Sequence, residues 1–270
     1  MAIEPLRQVE TTRYVTPLRE GGSLPAIVEA DDLGHYVIKF RGAGQGIPVL
    51  IAELICGELG RALGLPVPEL VLIELDPIFA NAEPDPEIQS LLRASAGLNL
   101  AMDYLPGSIA FQPAKPRGIT PELASATVWF DALIMNVDRT PRNPNLLVWH
   151  DKLYLIDHGA ALYVHHSWKD PERVANGRFP LIKDHVLLPF ATEIEQAASK
   201  LQSQVTPELI DDVLALIPEE WLGPVASPFA TAAEHLDAYR AFFRTRLNGA
   251  EGFTSEAIAA AAIAIEAGAQ

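Results

Sequence analysis

The chain has 270 residues, 49% hydrophobic and 20% charged, enough to bury a large core and unlike the composition of a disordered chain. Its formal charge of −15, from 20 Lys and Arg against 35 Asp and Glu, argues against direct nucleic-acid binding, which relies on clustered cations displacing counterions from phosphates. One cysteine, Cys56, excludes an internal disulfide, and within ELICGEL it reads as a small buried hydrophobe.

The first residues, MAIEPLRQVETTRY, show neither a basic start nor an apolar run, and the apolar part of the C-terminal EAIAAAAIAIEAGA is too short to span a bilayer. A cytoplasmic protein with no membrane contact is expected. From residue 13 to about 103 the pattern is strand-like: RYVT, PAIVEA, HYVIKF, ELVLIEL and GLNLAM are rich in β-branched residues and broken by Gly, Pro and Asp. One helix interrupts them at 49–64, with Leu50, Leu54, Leu59 and Leu63 on one stripe, ending at Gly64 before Pro66. The Pro-rich stretches 76–86 and 106–121 read as loops.

Beyond residue 121 the pattern turns helical, beginning with Thr120 as cap, Pro121 in the first turn and Glu122 at the positive end of the dipole. Further helices are predicted at 191–203, 206–217, 229–247 and 253–266. The exception is a pair of short strands, NLLVW and LYLI, joined by HDK. The expected architecture is therefore α+β and two-lobed, with a β-rich N-terminal lobe over 1–103 and a mainly helical lobe over 104–270. The apolar helix 253–266 offers either a core element or a homodimer contact.

Polar residues gather around that hairpin. Asp138 and Asn143 precede its first strand, and Asp157 follows its second. Carboxylate and amide oxygens on facing edges suit a hard cation such as Mg²⁺, leaving Asp138 to orient a nucleophile. A kinase site uses these same parts: an Asp taking the proton of a substrate hydroxyl, an Asn on one metal, and an Asp after the next strand on the bridging metal. IDHG, 156–159, would then stand in the place of a DFG-type motif.

Such a site makes demands on the other lobe. Lys39 ends the apolar strand HYVIKF, where an unpaired ammonium would be costly, and Glu53 in the following helix is a suitable partner. Alternatively, Lys39 is an edge-strand charge and Glu53 a solvent-facing helix residue. Gly21, Gly22 and Ser23 offer backbone amides for phosphates, although an ordinary turn has the same composition. RGAGQG, 41–46, lacks the G-x-G-x-x-G spacing and reads as a connector. Met102, Asp103 and Tyr104 end a strand before a Pro/Gly turn, as a hinge meeting adenine would, or as core followed by a turn.

In order, the GGS loop, YVIKF, AELICGELGRALGLPVPE, MDYLPG, NVDRTPRNPNLL and LIDHG resemble the HipA-like kinase family over roughly residues 15–165. The resemblance implies a protein-kinase-like fold and use of ATP and Mg²⁺. It implies Asp138 as base, Asn143 and Asp157 as metal ligands, Lys39 on the phosphates and Glu53 as its partner. The γ-phosphate would pass to a Ser/Thr or small-molecule hydroxyl. Many family loops place His two residues after the Asp, where this chain has Thr140; a nucleotide-gated module with little or no catalysis, or a nucleotidyl transferase, are the alternatives. Compared with longer HipA toxins no separate N-terminal subdomain is expected in this chain, which puts the toxin role and a DNA-binding antitoxin partner in doubt. A zinc site of Asp157, His158, His165 and His166 is the outlying alternative, but the usual zinc spacings are missing and LYVHHSWKD reads as a surface loop. No G-x-S-x-G elbow of a serine hydrolase occurs either.

Overall fold

The computed structural model describes residues 3–18, 24–44 and 46–268. Five N-terminal strands, β1 (Gln8–Pro17), β2 (Ala26–Ala30), β3 (His35–Lys39), β4 (Leu70–Leu75) and β5 (Gly97–Asp103), close into a barrel in the order β1-β2-β3-β5-β4. Neighbours are antiparallel except β1 and β4, which run parallel with Gln8 opposite Leu72 and Glu10 opposite Glu74. Successive strand side chains face opposite sides. Val28, Tyr36, Ile38 and Ile73 accordingly fill the barrel, while Lys39, one residue after Ile38, projects from its outer face.

Against that face lies α1 (Ile47–Ala62). It is buried almost all round, from Ile47 through Gly60, as a helix apolar on every side must be. Its outer residues join a core that includes Trp129, Phe130 and Leu133 of the helical lobe. Close approach relies on Gly57, where a Cβ would stand 2.6 Å from Leu70 Cδ1. Cys56 is fully buried here, and burial pushes its thiol well up. The helix stops two residues before the predicted end, where Leu65 N–H reaches back to Gly60 O across a left-handed Gly64.

The predicted loop 76–86 instead holds a 3₁₀ turn, Pro77–Ala82, and runs into α2 (Pro86–Ala94), which was not expected. Asp85 caps α2 by accepting from Glu87 N–H, and Ile88 and Leu92 seal one end of the barrel. The predicted loop 106–121 contributes β6 (Ile109–Ala110), which pairs with β7 (Leu146–Trp149). With β8 (Lys152–Leu155) the hairpin thus becomes a three-stranded sheet.

The helical lobe consists of α3 (Pro121–Ile134), α4 (Pro171–Ala175), α5 (Ile194–Gln202), α6 (Pro207–Leu214), α7 (Ala232–Asn248) and α8 (Ala250–Gly268). Thr120 Oγ1 caps α3 by accepting from Leu123 N–H. At its other end, buried Arg246 donates to the carbonyls of Ala132 and Leu133 and stacks over Phe253. α8 sets Phe253, Ala257 and Ala261 in the core and leaves Ile263 exposed. LYVHHSWKD is a correction: Leu162, Val164, His165 and Trp168 are buried, with His165 packed on Tyr239 and Trp168 on both Tyr239 and His235 of α7. No helix among the described residues is long and apolar enough to cross a membrane.

Candidate active site

Between the lobes lies a cleft of about 300 Å³ lined by Lys39, Asp138 and Asp157, with Val49, Gly159 and Ala160 among its walls. Three separate elements deliver the charged groups: β3, the loop after α3, and the turn after β8. Lys39 Nζ donates to Glu53 Oε2 at 2.6 Å and to Asp157 Oδ1 at 2.5 Å. Burial alone would discharge the lysine, but Asp157 and Glu53 outweigh it and hold the ammonium above its ordinary range. Burial likewise opposes ionisation of Glu53, yet Lys39 and then His158 bring its carboxyl down to about 2. The pair stays charged at neutral pH.

Asp157 stands in the left-handed region, φ 55, at the start of a tight turn. That turn needs Gly159, since a Cβ there would meet Val49 Cγ1 at 2.6 Å. His158 is fully buried beside α1, with Nδ1 3.7 Å from Glu53 Oε1 and its ring edge-on to Phe130. His165 has a different partner, Tyr239. Among the described residues, no group of three or more His, Cys, Asp or Glu is placed to hold a metal, so the histidine zinc cluster is not formed.

Asp138 is half-buried, and its Oδ2 accepts from Asn143 Nδ2 at 2.8 Å and Asn145 Nδ2 at 3.3 Å. A tight turn holds Asn143: its N–H donates to Thr140 O, and Thr140 N–H donates to Asn143 O. Thr140 Oγ1 also accepts from Asn143 N–H at 3.3 Å, so the side chain at this position is bonded into the turn.

Two groups, Asp131 and Arg139, went unassigned in the sequence, and a third was assigned otherwise. Asp131, in the apolar face of α3, is fully buried and binds Arg139 Nε through Oδ2 at 2.5 Å and Asn136 Nδ2 through Oδ1 at 3.2 Å. Burial opposes its charge, but Arg139 and a hydrogen bond from His185 hold the carboxyl well below its usual range. Arg139 also donates to Asn145 O and Ile156 O, so one guanidinium ties the backbone beside Asn143 to the backbone beside Asp157. The signal was a lone carboxylate in the apolar run VWFDALIM, the same signal that drew attention to Lys39. The glycine run read as a connector supplies Ala43, Gly44 and Gly46 to the cleft wall at the start of α1.

Other candidates stand apart. Met102, Asp103 and Tyr104 do not line this cleft. Asp103 N–H donates to Glu69 O and Tyr104 N–H to His35 O, which leaves those two donors committed within the protein. Gly21, Gly22 and Ser23 lie outside the described residues.

A strand lysine ion-paired to a helix glutamate, facing an Asp and Asn loop and an Asp turn across a cleft between two lobes, is the arrangement of a kinase. The chain belongs to the HipA-like kinase family, whose model matches residues 12–248 and so extends well past the motifs into the helical lobe. No curated protein matches the sequence. Among solved structures it is similar to the Helicobacter pylori proinflammatory kinase CtkA, with 12% identity, a TM-score of 0.58, and coverage of 98% of this chain and 100% of that one. It is also similar to the Golgi casein kinase with Mn/ADP bound, with 13% identity, a TM-score of 0.48, and coverage of 94% of this chain and 74% of that one. The two-lobed fold is that of kinases.

Proposed function

We propose that this kinase transfers the γ-phosphate of ATP, with Mg²⁺, to the hydroxyl of a protein Ser or Thr or of a small molecule. What carries the reading is the convergence of Lys39, Asp138 and Asp157 on one cleft, with Lys39 kept charged by buried Glu53. Lys39 grips the α- and β-phosphates, and the N-terminus of α1 beside Gly44 and Gly46 adds partial positive charge. The Gly21, Gly22 and Ser23 loop would cover the phosphates, and an adenine reaching past the cleft to Met102, Asp103 and Tyr104 would meet groups other than the Asp103 and Tyr104 N–H donors, which are already bonded.

The donor set fits a hard cation, because Asp157 in the cleft and the amide carbonyl of Asn143, whose Nδ2 bonds the cleft residue Asp138, supply oxygens, and no Cys, Met or His is among the described residues that line the cleft. These two residues would hold Mg²⁺, which when bound neutralises charge on the β- and γ-phosphate oxygens. Asp138 takes the proton of the acceptor hydroxyl as its oxygen bonds to the γ-phosphorus. The bond from that phosphorus to the bridging oxygen breaks, and ADP leaves. Asn143 and Asn145 hold Oδ2 of Asp138, so Oδ1 is the oxygen turned to the acceptor.

Calorimetric titration with ATP tests the reading. Micromolar binding should need both Mg²⁺ and Asp157 and be lost in Asp157→Ala, whereas Asp138→Asn should bind nucleotide and transfer nothing. Transfer at the wild-type rate by Asp138→Asn refutes the base assignment, and the mass added to an acceptor separates phosphoryl from nucleotidyl transfer. A second reading, a nucleotide-gated binding module, is favoured by the direct Lys39–Asp157 ion pair, which occupies a proposed metal ligand. Nucleotide bound for hours without ADP release would support it.

A further inference from the structure

The loop that carries Asp138 is fastened from a distant part of the chain. His185 lies at the end of the long segment that follows IDHG, and it is buried. Its Nδ1 accepts from Leu187 N–H at 3.1 Å, which places the ring proton on Nε2. Nε2 lies 2.8 Å from Asp131 Oδ2, the oxygen that also receives Arg139 Nε, so the imidazole donates to it. The next residue adds a second tie, as Val186 N–H donates to Arg139 O at 3.0 Å. Side chain and backbone of two consecutive residues thus grip Asp131 and Arg139, and Arg139 adjoins Asp138 in the chain.

The remaining bonds spread from this point. Asp131 Oδ1 takes Asn136 Nδ2, and Asn136 Oδ1 takes Asp138 N–H at 3.1 Å. Arg139 reaches Asn145 O and Ile156 O. Asp131 is therefore the hub, and among the described residues His185 is the only hydrogen-bonding partner of its carboxylate from outside residues 136–139. Burial outweighs the pull of Asp131 and keeps the imidazole neutral, so it acts as an oriented dipole rather than a second cation beside Arg139.

We infer that His185 is a positioning residue for phosphoryl transfer: through Asp131 it sets the angle at which Asp138 meets the acceptor, and it couples the segment after IDHG to that loop. The inference rests on the kinase reading above. Partners that orient metal ligands typically change activity by about 10–100-fold, and an effect of that order is expected for the partner that orients Asp131.

The experiment follows ADP release by the full chain with ATP and Mg²⁺, alongside calorimetric affinity for ATP. His185→Leu should cut turnover about 10–100-fold while leaving ATP affinity unchanged. His185→Gln, whose Nε2 can donate to Asp131, should restore most of the turnover. Amide exchange adds an independent readout: in His185→Leu the amides of 138–145 should exchange faster, while those of β3 and α1 keep their protection. Unchanged turnover in His185→Leu overturns the inference, as does an equal loss of ATP affinity and stability in both variants, which marks a purely structural role. Wild-type protein that binds no ATP or releases no ADP refutes the kinase reading, and this inference falls with it.

Discussion

Lys39, with 13% of its side chain exposed, bonds two carboxylates, and the two bonds differ in kind. Glu53 is 3% exposed and Asp157 is 43% exposed, so the first pair lives in a dry interior and the second in a half-open cleft. Removing one member of a buried pair strands the other, at a cost of about 3–5 kcal/mol, whereas replacing both is often neutral. Lys39→Met should therefore lower stability by about 3 kcal/mol in urea unfolding, and Lys39→Met with Glu53→Gln should recover most of that loss. If the double variant is no better than the single, the pair is not the source of the cost. Asp157→Ala should leave stability nearly unchanged, because its carboxylate is already half in water. The pairing was legible in the sequence, since a lysine after Val37 and Ile38 demands a partner and Glu53 stood in the next helix. The contact with Asp157 was not, because 118 residues separate it from Lys39.

Elements, more than single side chains, decide the width of the cleft. The turn at Asp157 to Gly159 packs directly on α1, and its fit depends on the missing Cβ of Gly159. Gly159→Ala should push that turn off Val49, a β-branched residue with little room to rotate. The expected result is weaker ATP binding by titration, with unfolding less affected than for Lys39→Met; unchanged affinity would show that the turn can yield. Expectations for elements failed where polarity misled. LYVHHSWKD looked like a solvated loop because its histidines and lysine are polar, yet burial neutralises His165 and buries Trp168 beneath α7. In the same way, the Pro-rich stretch before α2 hid a helix whose Asp85 cap, Pro86 and Ile88–Leu92 spacing were all present in the sequence. The hub at Asp131 escaped for a different reason, as its partners come from segments 8 and 54 residues away.

At the scale of the molecule, the two lobes share one large core through α1, which explains why composition and strand-to-helix order sufficed to foresee the architecture. Packing within that core also sets the response to acid. His235 is buried among Trp168, Phe229 and Tyr239, and burial brings its pKa from 6.5 down to about 4. The unfolded chain binds this proton near pH 6.5 and the folded one only near pH 4, so stability must fall as the pH drops between those values. His165, brought to about 3, acts in the same direction. His235→Phe should flatten the stability profile between pH 6.5 and 4 by one proton and leave its slope above pH 7 as it was; an unaltered slope would place the titrating group elsewhere. The barrel carries a consequence for assembly. One edge of Leu72 to Glu74 pairs with β5; the other is covered by Gln8 to Glu10, with Arg7 O accepting from Leu72 N–H. A chain that begins at Thr11 would leave β4 with an open edge, a template for a strand from another copy. Size-exclusion chromatography of that truncation should show concentration-dependent dimers absent from the longer chain, and restoring three residues should be enough to dissolve them.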